Sequence, residues 1–324
     1  MLPGLVISLI CLVIVFYMVD IRKLIDALRL ANYSLVGLSL AATLLWLSVR
    51  GIVWRIILQE KASFRQVFLT LNEGYLLNNL LPFRLGELGR AFLLGRKANL
   101  PFFHVLSSIV VERSLDVAMA VSIVLCTLPF VVGADWASQA AVAAGIIILL
   151  IFILLFLMAR YRQKVMKIFE TLTCRWQWLN KLGGKTLPAF FDGLELLTNG
   201  KRFFIAILWM AFNWLIAIGQ YTCYVKAFFP QAGLLWGAFA LGVVALGAAA
   251  PSSPGAVGVM ELVLVGGLSL FGTDPSTALA CAITIHLFQY LSTGLLGAYA
   301  LAQDGETLGG LYRSVRNLRS NMKA

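Results

Sequence analysis

Residues 78–94 read NNLLPFRLGELGRAFLL and set Arg84, Glu87 and Arg90 three residues apart, with Pro82, Gly86 and Gly89 among them. On a helix that spacing puts all three charges on one face. The planar fork of Arg matches phosphate oxygens. Two Arg to one Glu leaves a net positive pocket, so the guest this chemistry fits is a phosphorylated headgroup. Arg84 and Arg90 are the candidate phosphate holders, with Asn78 and Glu87 beside them. A second group, Glu112, Arg113 and Asp116, lies in the run VVERSLD, and Glu261 closes the run SPGAVGVME at 253–261. These carboxylates have two roles open to them. They neutralise Arg across a bundle, or they gate and carry protons; for Glu261 the partners expected are Arg113 or Arg90. Pro82, Gly86, Pro254, Gly255 and Gly258 mark breaks in helices that would otherwise continue.

These charges are informative because so little else in the chain is charged. Of its 324 residues, 60% are hydrophobic and 13% charged, with mean hydropathy +0.88. Soluble domains carry about 25% charged residues. The fold class is therefore all-α, a polytopic membrane bundle. The net charge of +11 is clustered in loops between apolar stretches, which indicates membrane topology rather than a nucleic-acid partner. Cys11, Cys126, Cys174, Cys223 and Cys281 show no CxxC spacing, and with two His and no HExxH neither a disulfide framework nor a metal site is expected. Ser252 and Ser253 have no base placed by sequence to activate them. No GxxxxGK[ST] loop is present. The expectation is no catalytic residue and no cofactor.

The elements that must position these groups follow in order. Residues 2–19 form a first span and 20–30 an interfacial amphipathic helix. Residues 35–57 form a second span, in which Arg50, Trp54 and Arg55 suit an interface anchor with Arg snorkelling outward. Residues 66–81 are too short and polar for a span of about 20 apolar residues, and 66–95 read as a re-entrant hairpin. A long span at 102–132 carries His104, Ser108, Glu112 and Asp116 at intervals of four. Residues 142–158 span again, and the basic stretch 160–202 is cytoplasmic. Residues 203–228 span with Asn213 and Gln220 on one face. Residues 234–267 form a second broken hairpin, and 277–301 the last span, with His286, Gln289 and Thr293 on one side. The whole makes one transmembrane domain, 1–302, with a basic cytoplasmic tail, 303–324. About six full spans and two hairpins entering from opposite faces close the topology, an arrangement used by transporters. A rival topology makes the first hairpin a full span and puts the N-terminus outside.

Three motifs in order, N-x-x-x-P-x-R-x-G-E-x-x-R (78–90), V-V-E-R-x-x-D (110–116) and S-P-G-x-x-G-x-x-E (253–261), resemble the flippase-like family of the transmembrane part of lysylphosphatidylglycerol synthase. The resemblance implies a lipid-translocating bundle. It carries motif positions to Asn78, Pro82, Arg84, Gly86, Glu87, Arg90, Glu112, Arg113, Asp116, Pro254, Gly255, Gly258 and Glu261. Ala256-Val257 departs from the small pair usual after the proline. The soluble aminoacyl-transferase domain of the synthase is not expected here, nor is lysine transfer.

The function expected is movement of a phosphorylated or anionic lipid headgroup between leaflets of a bacterial cytoplasmic (inner) membrane, without chemical change. Membrane lipids are the partners expected, with enzymes of lipid biosynthesis as the other candidates; the oligomeric state is left open. The alternatives are an integral-membrane enzyme acting on lipids or lipid-linked glycans, and an accessory scaffold for such an enzyme.

Overall fold

A computed structural model describes residues 2–81, 85–132, 136–173, 177–248 and 253–305. Pro82, Arg84, Cys174, Ser252 and the tail from 306 onward lie outside the described residues. The helices are α1 (Leu2–Tyr17), α2 (Ile21–Leu30), α3 (Tyr33–Ile57), α4 (Phe64–Leu80), α5 (Gly86–Lys97), α6 (Phe102–Val132) and α7 (Trp136–Arg160). They continue with α8 (Arg162–Thr173), α9 (Gln177–Leu194), α10 (Gly200–Phe228), α11 (Leu234–Gly247), α12 (Val259–Ser269) and α13 (Pro275–Gln303). Short 3-10 turns occupy Glu195–Thr198 and Pro254–Ala256. No strand occurs among the described residues, so the all-α bundle expected from composition is the fold.

Among the described residues four helices, α3, α6, α10 and α13, are long and apolar enough to cross a membrane, and α7 with its 87° bend into α8 makes a fifth candidate. At about 1.5 Å per residue α3 is about 37 Å long, enough for a hydrocarbon core of about 30 Å. The outward faces are apolar: Leu150 is 58% exposed, Leu215 64% and Leu295 71%. Such exposure is expected of lipid-facing side chains. These candidates number four to five among the described residues, beside the about six full spans expected. The helix read as the first span, α1, has only 16 residues.

The two breaks are helical hairpins. At the base of the first, Gln66 donates to the Lys97 carbonyl (2.8 Å), and at its tip the Gly86 amide donates to Asn78 Oδ1 (2.9 Å). Thus α4 and α5 run antiparallel, and neither is as long as the hydrocarbon core is thick: about 25 Å and 18 Å. Gly86 was expected as a helix break. It stands at the far edge of the break, where α5 starts and the backbones nearly touch, since a Cβ there would lie 2.2 Å from the Gly74 carbonyl oxygen. The second hairpin pairs α11 with α12: Trp236 stacks on Phe271 (4.3 Å), and a Cβ on Gly247 would meet Val263.

Both hairpins lie along α13. The first packs on its C-terminal half, where Asn79 donates to Thr293 (3.0 Å) and Arg65 to Gln303 (3.3 Å). The second packs on its N-terminal half and middle, with His286 Nε2 3.0 Å from the Gly255 carbonyl and Tyr290 donating to the Pro254 carbonyl (3.3 Å). The end of α4 packs on the Pro254–Ala256 turn, so the hairpins approach tip to tip from opposite ends of the bundle. One end gathers Arg55, Lys61, Arg65, Lys97, Arg162 and Arg202 around the α3–α4 and α5–α6 connections. The other is sealed by α2, where Asn32 donates its amide to Ala227 O (2.9 Å) and Asp20 to Ser276 Oγ (3.0 Å). This is the two-hairpin arrangement inferred from the loop charges.

Candidate functional site

The centre is built on one face of α6. His104, Ser108 and Glu112 are buried there, as their four-residue spacing requires. Antiparallel α3 brings Trp54 and Arg50 against that face: Trp54 Nε1 donates to Ser108 Oγ (3.1 Å), and Arg50 Nε lies 2.8 Å from Glu112 Oε1. Arg50 Nη1 also donates to Asp116 Oδ1 (2.7 Å), and Trp214 of α10 donates to the same oxygen (3.3 Å). From α5, Arg90 Nη2 donates to Glu112 Oε2 (2.8 Å), with its guanidinium 3.9 Å above the Trp54 ring. Glu112 therefore sits between two arginines, each side chain wholly or nearly wholly buried. Two charges flanking one carboxylate leave no face of it solvated, so the bridge holds α3, α5 and α6 in fixed relation.

Two expectations change here. Arg50 does not snorkel to an interface: it is 2% exposed and turned into the bundle. About ten ångströms of helix separate it from the end of α3, too far for a side chain that also meets two carboxylates nearby. The second concerns the charges around Glu87 and Arg90, which, with Arg84 outside the described residues, extend beyond the local pattern. Among the described residues Arg50, Arg90 and Arg113 face Glu87, Glu112 and Asp116, three charges of each sign. Arg90 and Glu87 share α5 but pair with α6 rather than with each other. Asn78 caps the start of α5 through Gly86 N.

The remaining pair lies at the edge of this network. Arg113 Nε is 2.8 Å from Glu87 Oε1, and Nη1 donates to Asp116 Oδ2 (3.2 Å). These side chains are 27% and 23% exposed, against 0% for Arg90 and Glu112. They form the polar floor of a groove of about 310 Å³ between α5, α6 and α7, whose walls include Leu106, Ile109, Val110, Ile151 and Phe152. A charged floor under apolar walls suits a molecule with an ionic head and hydrocarbon tails.

At the other hairpin Glu261 meets neither Arg113 nor Arg90. Its Oε1 lies 2.5 Å from His286 Nδ1, and its Oε2 accepts from the Gly258 amide (2.7 Å), closing the first turn of α12. Pro254 opens the turn, and Gly255 (φ +68°) and Gly258 (φ +87°) adopt left-handed backbone there, as expected of a glycine-made break. A third cluster escaped sequence reasoning. Lys97 Nζ reaches Glu73 Oε2 (2.6 Å), Thr70 Oγ1 (3.2 Å) and Asp304, tying the base of the first hairpin to the end of α13. Lys97 and Glu73 are 24 residues apart, on two antiparallel helices, so no local spacing announces them. Arg50 did carry a signal: it stands five residues deeper than Arg55 in a stretch, 35–57, with no other charge.

Helices that expose hydrocarbon to their surroundings and enclose a balanced charge network define an integral membrane protein with a polar interior. Residues 1–297 match the family described as lysylphosphatidylglycerol synthase TM region, and the chain belongs to that family, one tied to lipid biosynthesis or translocation. It is similar to UPF0104 membrane protein MJ1595 of Methanocaldococcus jannaschii, 22% identical over 319 residues that cover 92% of this chain and 93% of that protein. No solved structure matches the chain.

Proposed function

We propose that this protein moves a phosphorylated or anionic lipid headgroup between leaflets of a cytoplasmic membrane and leaves the lipid chemically unchanged. The observation that carries the reading is the groove whose apolar walls end on Arg113 and Glu87. A lipid entering sideways keeps its acyl chains against Leu106, Ile109 and Ile151 while its phosphate exchanges with Glu87 for the fork of Arg113. Arg50, Arg90 and Glu112 are the fixed wall against which this exchange occurs. Arg84, which the motif also marks as a phosphate holder, adds to the same function. Membrane lipids are the partners, and a bacterial inner membrane is the proposed setting. The test is a leaflet assay in liposomes carrying the purified protein and a panel of anionic, zwitterionic and cationic lipids. Movement of an anionic class with unchanged lipid mass supports the reading. A change of lipid mass assigns an enzyme, and no movement of any class refutes transport.

A further inference from the structure

We propose that Glu261 and His286 form a proton-binding latch that locks the tip of the second hairpin, and that release of its proton frees the tip. This rests on the transport reading for its purpose, since it names the ion to which lipid movement couples. Both ring nitrogens of His286 face oxygens: Nδ1 lies 2.5 Å from Glu261 Oε1, and Nε2 lies 3.0 Å from the Gly255 carbonyl, which can only accept. A neutral imidazole has one N–H and one lone pair. Beside an ionised carboxylate it would set a lone pair against an oxygen at one contact or the other. Both contacts are satisfied only when the pair holds one proton more than a neutral imidazole beside a carboxylate. The count is the same whether that proton is drawn on the ring or on Glu261.

Loss of the proton to water therefore opens one contact. The remaining N–H is held by the ionic acceptor, Glu261, because a charge-assisted bond is the stronger. Nε2 then presents its lone pair to the Gly255 carbonyl, and that bond is lost. That bond is one of several on a strained turn. Gly255, Ala256 and Gly258 all have positive φ, and for Ala256 (φ +60°) that conformation persists only while its surroundings impose it. Other bonds on the turn are Tyr290 Oη to the Pro254 carbonyl, the Ser253 amide to Ser8 Oγ of α1, the Gly258 amide to Glu261 Oε2, and, within it, the Ala256 amide to the Ser253 carbonyl and Ser253 Oγ to the Val257 carbonyl. Tyr290, whose ring meets that of His286 edge-on at 4.8 Å, is the further titratable group facing the pair. From the elements packed on the turn, α1 presents Ser8, and the end of α4 carries the neutral Asn78, Asn79 and Leu80. Because α4 ends against this turn, freeing the turn loosens the place where the two hairpins meet.

The test is hydrogen exchange of the 253–260 backbone in the full-length protein, corrected for the intrinsic pH dependence of exchange. Loss of one proton predicts that opening rises tenfold per pH unit across the titration. In His286→Gln the turn is open and flat with pH. In Glu261→Gln the amide donates to Nδ1 while Nε2–H keeps the Gly255 carbonyl, so the turn is closed and flat with pH. Unchanged exchange in α3 and α10 reports that each variant is folded. If His286→Gln does not fold, Glu261→Gln alone decides. A flat profile in the unmodified protein, or a tenfold slope that survives in either folded variant, overturns the latch. In liposomes, an imposed pH gradient drives net lipid movement with the native pair and not with Glu261→Gln. A tenfold slope together with no movement of any lipid supports the latch and counts against the transport reading alone.

Discussion

Glu112→Gln separates a structural from a ligand-binding role for the deepest charges. Glu112 is the partner that Arg50 and Arg90 share, with both contacts at 2.8 Å and no exposed surface. Arg50 keeps Asp116 when Glu112 is neutralised. Arg90 does not: its Nε and Nη1 have no hydrogen-bond partner among the described residues, and the Trp54 face is its remaining contact. Stranding one partner of a buried pair costs about 3–5 kcal/mol. At about 2–4 °C per kcal/mol, the expected fall in Tm in detergent is on the order of 10 °C. Replacing both partners, Arg90→Met with Glu112→Gln, strands nothing and should recover most of that loss, giving a double-mutant coupling of several kcal/mol. If Glu112→Gln melts with the native protein, Arg90 has another counter-ion. The reasoning that makes it part of a fixed wall then fails, and a lipid phosphate on Arg90 becomes the better account.

Three further outcomes follow from the same contacts. Gly86→Ala should destabilise the first hairpin by about 1–3 kcal/mol, because its Cβ would lie 2.2 Å from a backbone oxygen that has no rotamer to escape into; thermal unfolding checks this. Lys97→Met should cost about 3 kcal/mol by leaving the fully buried Glu73 side chain without its cation, and Glu73→Gln in the same chain should restore most of it. Single cysteines replacing Lys61 and Asn99, both exposed at the basic end, should react with a membrane-impermeant thiol reagent from the same side. Labelling from opposite sides would restore the topology in which 66–81 spans the membrane.

Much of the architecture was legible because hydrocarbon burial writes period and length directly into sequence. The polar stripe on α6, the two broken hairpins and their opposed entry all follow from spacing, loop charge and glycine placement. The pairing of the charges was less legible. Arg84, Glu87 and Arg90 share a local pattern that suggests mutual contact, yet Glu87 and Arg90 are satisfied by α6, because helices that cross at depth offer partners of any sequence separation. Arg50 and His286 were placed too near the surface or left unassigned for the same reason: each has its partner on another helix. The match of Asn213 and Gln220 to α3 shows the reverse case, where one face of α10 donates to Trp46 O (2.9 Å) and Thr43 Oγ1 (2.7 Å) as its spacing implied.

The most direct test of the lipid path is leaflet transport in liposomes by the paired variant Arg113→Gln with Glu87→Gln. Removing both charges together leaves neither stranded, so Tm should stay within a few degrees of native. Transport should fall roughly ten- to a hundredfold, the loss expected when charge-assisted bonds worth about 1.5–3 kcal/mol to a phosphate disappear. Glu87→Gln alone should keep headgroup binding and slow release. Arg113→Lys should rescue poorly, since an ammonium lacks the two-pronged fork. Native transport in the paired variant, with the fold intact, would contradict the account and move the headgroup path away from this groove.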